Sequence, residues 1–545
     1  MREEPLVPYR PVMRLSRYVP SLTVRAIKQR DVGSVPKNDQ TTMEGLLVTT
    51  GPATPTPAAA DAIPLERLLA DLPPVRDVGD SLDQILQGRR VVLLDDDPTG
   101  TQTIADLPVL TSWSIADLQW ALQQPTTGFF VLTNTRSLSE TDAAERNREV
   151  VDALHQAAEA EQVSYVLASR SDSTLRGYFP LETDVLSREL AARGTVVDGV
   201  VICPAYVEPG RLTIDSLHWT RTADGMIPVS QSEFAKDASF GYRSSDLRDW
   251  VAEKTGGRIA RDDVATITLT DIRVGGPDRV GEILAGLRNG QPVVVDTVED
   301  ADQQVVVLAL LRAEAAGKNF IYRIGPSFVR ARTGQHATPP VDAQRLRQIF
   351  APRPPDSDES RPATKHGLIA VGSHVGLTTR QLDRLRDHDK IIELELDVPT
   401  LLDDSAHDRH VNDVAAQAAN ALRNNDADSD IVIRTSRTLV TGGDAVRSLM
   451  IARTVSAALV GTVREIVSEV RPAFVLAKGG ITSSDTATEG LEIQRAWCRG
   501  TMLPGIISLW EPVTGLAQGI PYIVFAGNVG DDDALAAVVD TLRSV

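Results

Sequence analysis

Three aspartates in a row, Asp95-Asp96-Asp97, followed by Pro98-Thr99-Gly100, come directly after the apolar run Arg90-Val91-Val92-Leu93-Leu94. Like charges this close raise one another's pKa unless a cation or hydrogen-bond donors answer them. The triplet therefore reads as a general base or a ligand orienter beside an anionic substrate. A second polar stretch, Ser169-Arg170-Ser171-Asp172-Ser173-Thr174-Leu175-Arg176-Gly177, crowds an acid, hydroxyls and arginines together. A guanidinium grips a carboxylate in two-pronged fashion, and an acid accepts from hydroxyls, so this stretch suits a polyhydroxy acid. Three glycine turns lie much later: Gly372-Ser373-His374-Val375-Gly376, Gly479-Gly480-Ile481-Thr482 after Lys478, and Gly527-Asn528-Val529-Gly530. Such turns offer backbone N–H groups with no Cβ in the way and bind anions where they enter helices. Three of them in one half of the chain point to a cradle for nucleotide phosphates. Neither the P-loop spacing nor the dinucleotide-binding glycine spacing is present.

Elements must hold these motifs in place. Apolar runs bounded by turn residues read as buried parallel strands, whose carboxyl ends carry the ligand sites of open α/β sheets. Strands are expected at 90–94, 128–132, 164–168, 199–203, 264–269, 292–296 and 320–324, and then at 367–371, 430–433, 473–477 and 522–525. Helices are expected at 65–70, 82–86, 139–161, 378–386, 445–470 (as one or two) and 532–542, with Ser139 capping the long one. The fold class is two α/β domains with mainly parallel sheets and a ligand cleft between them. Residues 81–350 form the expected acid-binding domain, 351–366 a linker and 367–545 a nucleotide-binding domain. Residues 1–80, with a Pro/Ala/Thr-rich stretch at 51–60, are expected to be a disordered extension or no part of the mature protein, with Met43 as an alternative start; they are expected to be dispensable.

Composition narrows the function. A net charge of −18 argues against nucleic acid and anionic membranes as partners. Against that background Arg136, Arg170, Arg176 and Arg211, all in strand-end loops, suggest a pocket for a small anion. Cys203 and Cys498 read as free buried thiols of a cytoplasmic protein. No apolar run reaches the length of a membrane span. His407 and His410 are expected in an acidic, exposed stretch and not at a metal.

At these motifs the chain resembles the four-carbon acid sugar kinases, over most of residues 90–542. Asp96-Asp97-Pro98-Thr99-Gly100, Thr135-Arg136 and Pro204-Ala205-Tyr206 with Gly210-Arg211-Leu212-Thr213 are similar to family motifs. Asp172-Ser173-Thr174-Leu175-Arg176-Gly177 is the most specific of them. Three departures stand out: Thr101 where the family has alanine, Arg170 where it has lysine, and Gly479-Gly480-Ile481-Thr482 where an acid usually precedes the threonine. The resemblance implies an N-terminal domain that binds a sugar acid, a C-terminal domain that binds ATP, and phosphorylation of a substrate hydroxyl, with Mg²⁺ bridging the phosphates. Asp97 and Asp172 are then the expected catalytic acids. Asp96, Thr99, Arg136, Arg170, Arg176 and Arg211 are expected to hold the substrate. Ser373, Lys478, Gly479, Gly480, Ile481, Thr482, Gly527, Asn528 and Gly530 are expected to hold the nucleotide. The metal ligands, the particular acid and the oligomeric state stay open, and a homo-oligomer is compatible with this reading. A non-catalytic sensor of sugar acids or nucleotides, and a lyase or dehydrogenase acting on similar acids, remain as alternatives.

Overall fold

Short runs of Val, Leu and Ile become strands buried on both faces, as parallel sheets require. A computed structural model describes residues 62–544, apart from 80, 82–87, 98, 351–362, 389, 425–428, 438–439 and 441–444. The first half holds β1 (Arg90–Asp95), β2 (Leu107–Leu110), β3 (Gly128–Leu132), β4 (Tyr165–Arg170), β5 (Gly199–Cys203), β6 (Arg211–Ile214), β7 (Leu217–Thr222), β8 (Gly225–Pro228), β9 (Ala265–Ile267), β10 (Gln291–Val295) and β11 (Phe320–Ile324). The second holds β12 (Leu368–Val371), β13 (Ile391–Leu396), β14 (Asp430–Thr435), β15 (Val475–Lys478), β16 (Arg495–Leu503), β17 (Ile506–Pro512) and β18 (Tyr522–Phe525). Among the described residues fifteen of these form one sheet, in the order β13-β14-β12-β15-β18-β17-β16-β2-β3-β1-β4-β11-β5-β10-β9. Strands β6, β7 and β8 form a separate small sheet.

Register aligns the motifs. Asp95 lies level with Leu132 and Arg170, so the loops after β1, β3 and β4 leave the same edge. Val371, Lys478 and Phe525 are level in the second half, so the three glycine turns also start side by side. The pairings of β18 with β17, β17 with β16 and β16 with β2 are all antiparallel. The parallel strands of the two halves therefore run in opposite senses along the ladder. Loops from the two carboxyl edges nonetheless come within hydrogen-bond reach of one another. Asn134, after β3, donates from Nδ2 to Ser484 Oγ at 2.8 Å.

The parallel strands expected from sequence are present, and 445–469 is one helix. The antiparallel elements β6–β8, β16 and β17, the mixed strand β2 and the parallel edge strand β13 escape the apolar-run criterion. Strand β16, Arg-Ala-Trp-Cys-Arg-Gly-Thr-Met-Leu, alternates buried and half-buried residues along its first part and reads as loop. Residues 407–424 are not an exposed acidic stretch but an amphipathic helix that buries Val411, Val414, Ala415, Ala418, Ala419 and Leu422. His407 bonds the Leu401 carbonyl and His410 accepts from the Asp397 N–H, so both close the turn ahead of this helix.

The larger correction concerns the expected extension. The expected helix at 82–86, most of the linker and residues 1–61 lie outside the described residues, but 62–79 pack on the first half. Ile63 exchanges backbone hydrogen bonds with Met226, extending the small sheet. Leu65, Leu68, Leu69 and Leu72 pack with Leu212, Trp219 and Met226. Arg76 donates to the Arg273 and Val274 carbonyls, and Arg273 donates to the Pro73 carbonyl. A chain that starts at Ser81 loses these four partly buried leucines, each worth on the order of 1 kcal/mol, less than a fully buried one. It is expected to melt several degrees below the full chain. Equal melting temperatures in a calorimetric scan would restore the expectation of a dispensable segment.

Candidate active site

The loops after β1, β3, β4 and the start of β6 bring acids and arginines into one cluster. Arg136 donates to both oxygens of Asp96 and, at 3.0 Å, to Asp97. Arg170 lies 3.5 Å from Asp95. Arg176 donates from Nε to Asp172 at 2.6 Å, and Thr174 also donates to that carboxylate. Thr99 donates both its N–H and its hydroxyl to Asp97 Oδ1. Every acid and arginine expected at the substrate end is therefore in this cluster. Asp95 and Asp96 are buried, whereas the Asp97 side chain is 29% exposed.

Burial sets the acids apart. Desolvation pushes the Asp95 carboxyl up to about 7; Arg170 opposes this, and Asp96 and Asp97 add to it. Its Oδ2 has no hydrogen-bond partner among the described residues. Burial also opposes ionisation of Asp97, but Arg136 and the Thr99 hydrogen bonds outweigh it and hold Asp97 below the usual carboxylate range. At Asp172 burial is likewise outweighed, by Arg136 and Arg176, and the carboxyl is held well below that range. Arg211 differs from the other guanidiniums. It donates to Ser173 Oγ at 2.9 Å and lies over the rings of Tyr206 and Phe234, and no carboxylate pairs with it among the described residues. Burial lowers its pKa, yet a guanidinium stays charged. Arg176 lies over the same Phe234 ring, so one aromatic side chain backs both arginines.

Sequence reading missed the layer beneath. Glu182, buried at the start of helix Leu181–Ala192, accepts from Thr135, Ser169 and Arg323 at 2.6, 2.8 and 2.9 Å. Arg323 also donates to the Arg176 carbonyl. The available signal was a lone arginine inside the apolar run Phe-Ile-Tyr-Arg-Ile. Phe234 sits in a short turn with no such signal.

In the second half the glycine turns close on one another. A Cβ on Gly372 would stand 2.3 Å from Thr482 Oγ1, and one on Gly527 would stand 2.5 Å from Ser373 Oγ. Gly479 has a φ of 132°, which few side chains tolerate. Gly480, by contrast, faces open space, with none of the described residues within 4 Å of a Cβ placed there. Thr378 donates to the Gly527 carbonyl, and Gln381 donates to the Val529 and Asp531 carbonyls, fixing the last turn from helix Gly376–His388. Ile481, Asn528 and Gly530 are exposed. Arg437, also missed, donates to the Ser373 carbonyl and to Thr379 at 2.6 Å. Lys478 does not face this opening. It is fully buried, donates to the Ala526 carbonyl at 2.8 Å and lies over the Phe525 ring, and burial pulls its pKa down to about 7.

Comparisons with known proteins fit this geometry. A family model described as a sugar-binding N-terminal domain matches residues 91–332, and one described as a nucleotide-binding C-terminal domain matches 368–535. This chain belongs to the four-carbon acid sugar kinase family. No curated protein matches it. Among solved structures it is similar to a Salmonella typhimurium LT2 protein described as a candidate tRNA synthase, with 15% identity and a TM-score of 0.58 over 82% of this chain and 98% of that one. It is also similar to a Haemophilus influenzae protein of a domain family of unknown function, with 16% identity and a TM-score of 0.54 over 83% of this chain and all of the other. At such identities the likeness is one of fold. The family member described here thus joins a sugar-binding domain to a nucleotide-binding domain, and no helix among its described residues is long and apolar enough to cross a membrane.

Asp95 takes up a proton more readily folded than unfolded. Its stabilising contribution is therefore full below about pH 4 and is lost as pH rises through 7. Asp95→Asn removes this dependence. Between pH 5 and 8 the wild type is expected to lose melting temperature relative to Asp95→Asn. A difference that stays constant over that range would show that Asp95 does not titrate there.

Proposed function

We propose that this family member transfers the terminal phosphoryl group of ATP to a hydroxyl of a small, four-carbon sugar acid. The observation that carries the proposal is the meeting of two unlike sites. The charged loops of the sugar-binding half and the glycine turns of the nucleotide-binding half are joined by the Asn134–Ser484 hydrogen bond. Phosphoryl transfer needs positioning and charge neutralisation more than covalent help from the protein, and the two sites divide that work.

Arg211, with no carboxylate of its own, grips the substrate carboxylate, and Arg176 supports it across the Phe234 ring. Asp97 is the most exposed acid of the triplet and is kept ionised by Arg136 and Thr99. It accepts the hydrogen bond of the substrate hydroxyl and takes its proton as the new P–O bond forms and the bond to the β-phosphate breaks. Asp172 is less exposed than Asp97 and is locked by the Thr174 hydroxyl and the Arg176 guanidinium; its part is to fix Arg176. The open space beside Gly480 and the backbone turns around Ser373, Thr482 and Gly527 receive the phosphates. Lys478 supports the 526–530 turn from within and does not touch them.

No three metal-ligating side chains group together among the described residues. That suits a Mg²⁺ that arrives on the nucleotide, keeping most of its ligands as phosphate and water and needing at most one or two carboxylates. Asp97 in the acidic turn and Asp531 after the last glycine turn are carboxylates exposed enough to serve. Such an ion would neutralise charge on the transferred group.

Two variants separate the halves. Arg211→Met is expected to weaken the sugar acid by roughly ten- to a hundredfold, the cost of a lost charge-assisted hydrogen bond, with ATP affinity little changed. Gly480→Val fits the fold, because a Cβ there meets none of the described residues, but fills the space a phosphate would need. It is expected to lose ATP while keeping the acid. Calorimetric titration of both ligands into both variants, with ADP release measured over a panel of four-carbon sugar acids, is the check. Loss of the same ligand by both variants, or no acid that raises ADP release above background, would overturn the assignment.

A further inference from the structure

The acidic turn belongs to the sugar-binding half, and the segment that follows it is fastened from both halves: in its own half Thr103 donates to the Pro326 carbonyl and Ala105 exchanges hydrogen bonds with the Gln335 side chain. Trp510, on β17, donates from Nε1 to Thr101 Oγ1 at 3.0 Å, and both residues are buried. Cys498, on β16, directs its thiol to the Thr101 and Ile104 carbonyls at 3.4 and 3.7 Å. Arg499 and Arg345 pair with Asp106 at 2.7 and 2.9 Å. Thr101 is also the position at which this chain departs from the alanine expected for its family. An alanine would leave the indole N–H of Trp510 without this partner, inside the protein.

Thr101 is tightly coupled to the acids. Gly100, its neighbour, presses on Asp95 so closely that a Cβ would overlap the carboxylate. Asp95 in turn accepts from the Asp97 N–H at 3.1 Å. A shift of Thr101 therefore has no slack to absorb it before Asp97. We propose that Trp510, acting through Thr101, positions Asp97, so that the nucleotide-binding half sets the geometry of the acid that orients the substrate hydroxyl. Thr101 and Trp510 are positioning residues, and their catalytic effect rests on the kinase reading above.

Thr101→Val keeps the shape and removes the acceptor; Thr101→Ser keeps the acceptor. With the full chain, Thr101→Val is expected to lower kcat about tenfold, the scale of a small misplacement. The KM values for acid and ATP should stay within about twofold, and Thr101→Ser should restore turnover. Amide hydrogen exchange across 96–104 should speed up in Thr101→Val and not in Thr101→Ser. Trp510→Phe removes the donor. Adding it to Thr101→Val should bring no further loss of kcat and should recover melting temperature relative to Thr101→Val, because no buried N–H is then left unpartnered. Unchanged kcat or unchanged exchange in Thr101→Val overturns the proposal. If the wild type itself transfers no phosphate, the kinase reading fails, and the exchange arm alone decides whether Trp510 fixes the turn.

Discussion

Carboxylates taken out of water must meet cations or protons, and that constraint organises the sugar-binding half. Asp95, Asp96 and Glu182 are buried and Asp172 nearly so. Leaving one of them charged and unpaired would cost several kcal/mol. The strands supply the answers in register: Arg170 at the end of β4 for Asp95, Arg136 after β3 for Asp96 and Asp97, and Arg323 on β11 for Glu182. Asp95 is met least well and takes the other course, a raised pKa. Arg211 then stands as a guanidinium with no carboxylate of its own among the described residues, which is what an anion site needs. The site is the remainder of a charge balance whose other members support the fold.

What could be read from sequence follows the same logic. Buried parallel strands are apolar along their whole length, so β1, β3, β4, β5, β11, β12 and β18 could be placed within a residue or two, together with the polar motifs at their ends. The antiparallel strands that join the halves could not, because β16 and β17 mix Arg, Trp, Ser and Glu with apolar residues and owe their place to partners far away in sequence. Roles within the cluster were harder still. Asp97 and Asp172 are both acids beside arginines in sequence, and only the hydrogen bonds on each carboxylate tell a reachable acid from a locked one. Lys478 beside two glycines reads as a phosphate ligand, but a strand residue's side chain points to one face or the other, and here it enters the core against Phe525. Glu182, Phe234, Arg437 and Trp510 act through contacts that no local pattern announces.

The pairing of β2 with β16 makes one sheet of the two halves, and it also fixes the order in which they can be finished. Cys498 meets Thr101 across 397 positions of chain. At synthesis rates of about 5–20 residues per second, roughly 20–80 s separate the two on the ribosome. During that time the sugar-binding half can form its parallel strands, but β2 has one edge open and the acidic turn lacks its outer wall. Pro108 lies on that strand opposite Trp497 and offers no N–H to a passing strand, which blunts the open edge against mispairing. In the nascent protein the segment after the acids thus waits for its contacts with Cys498 and Trp510 until β16 and β17 have emerged, long after its own strands were made.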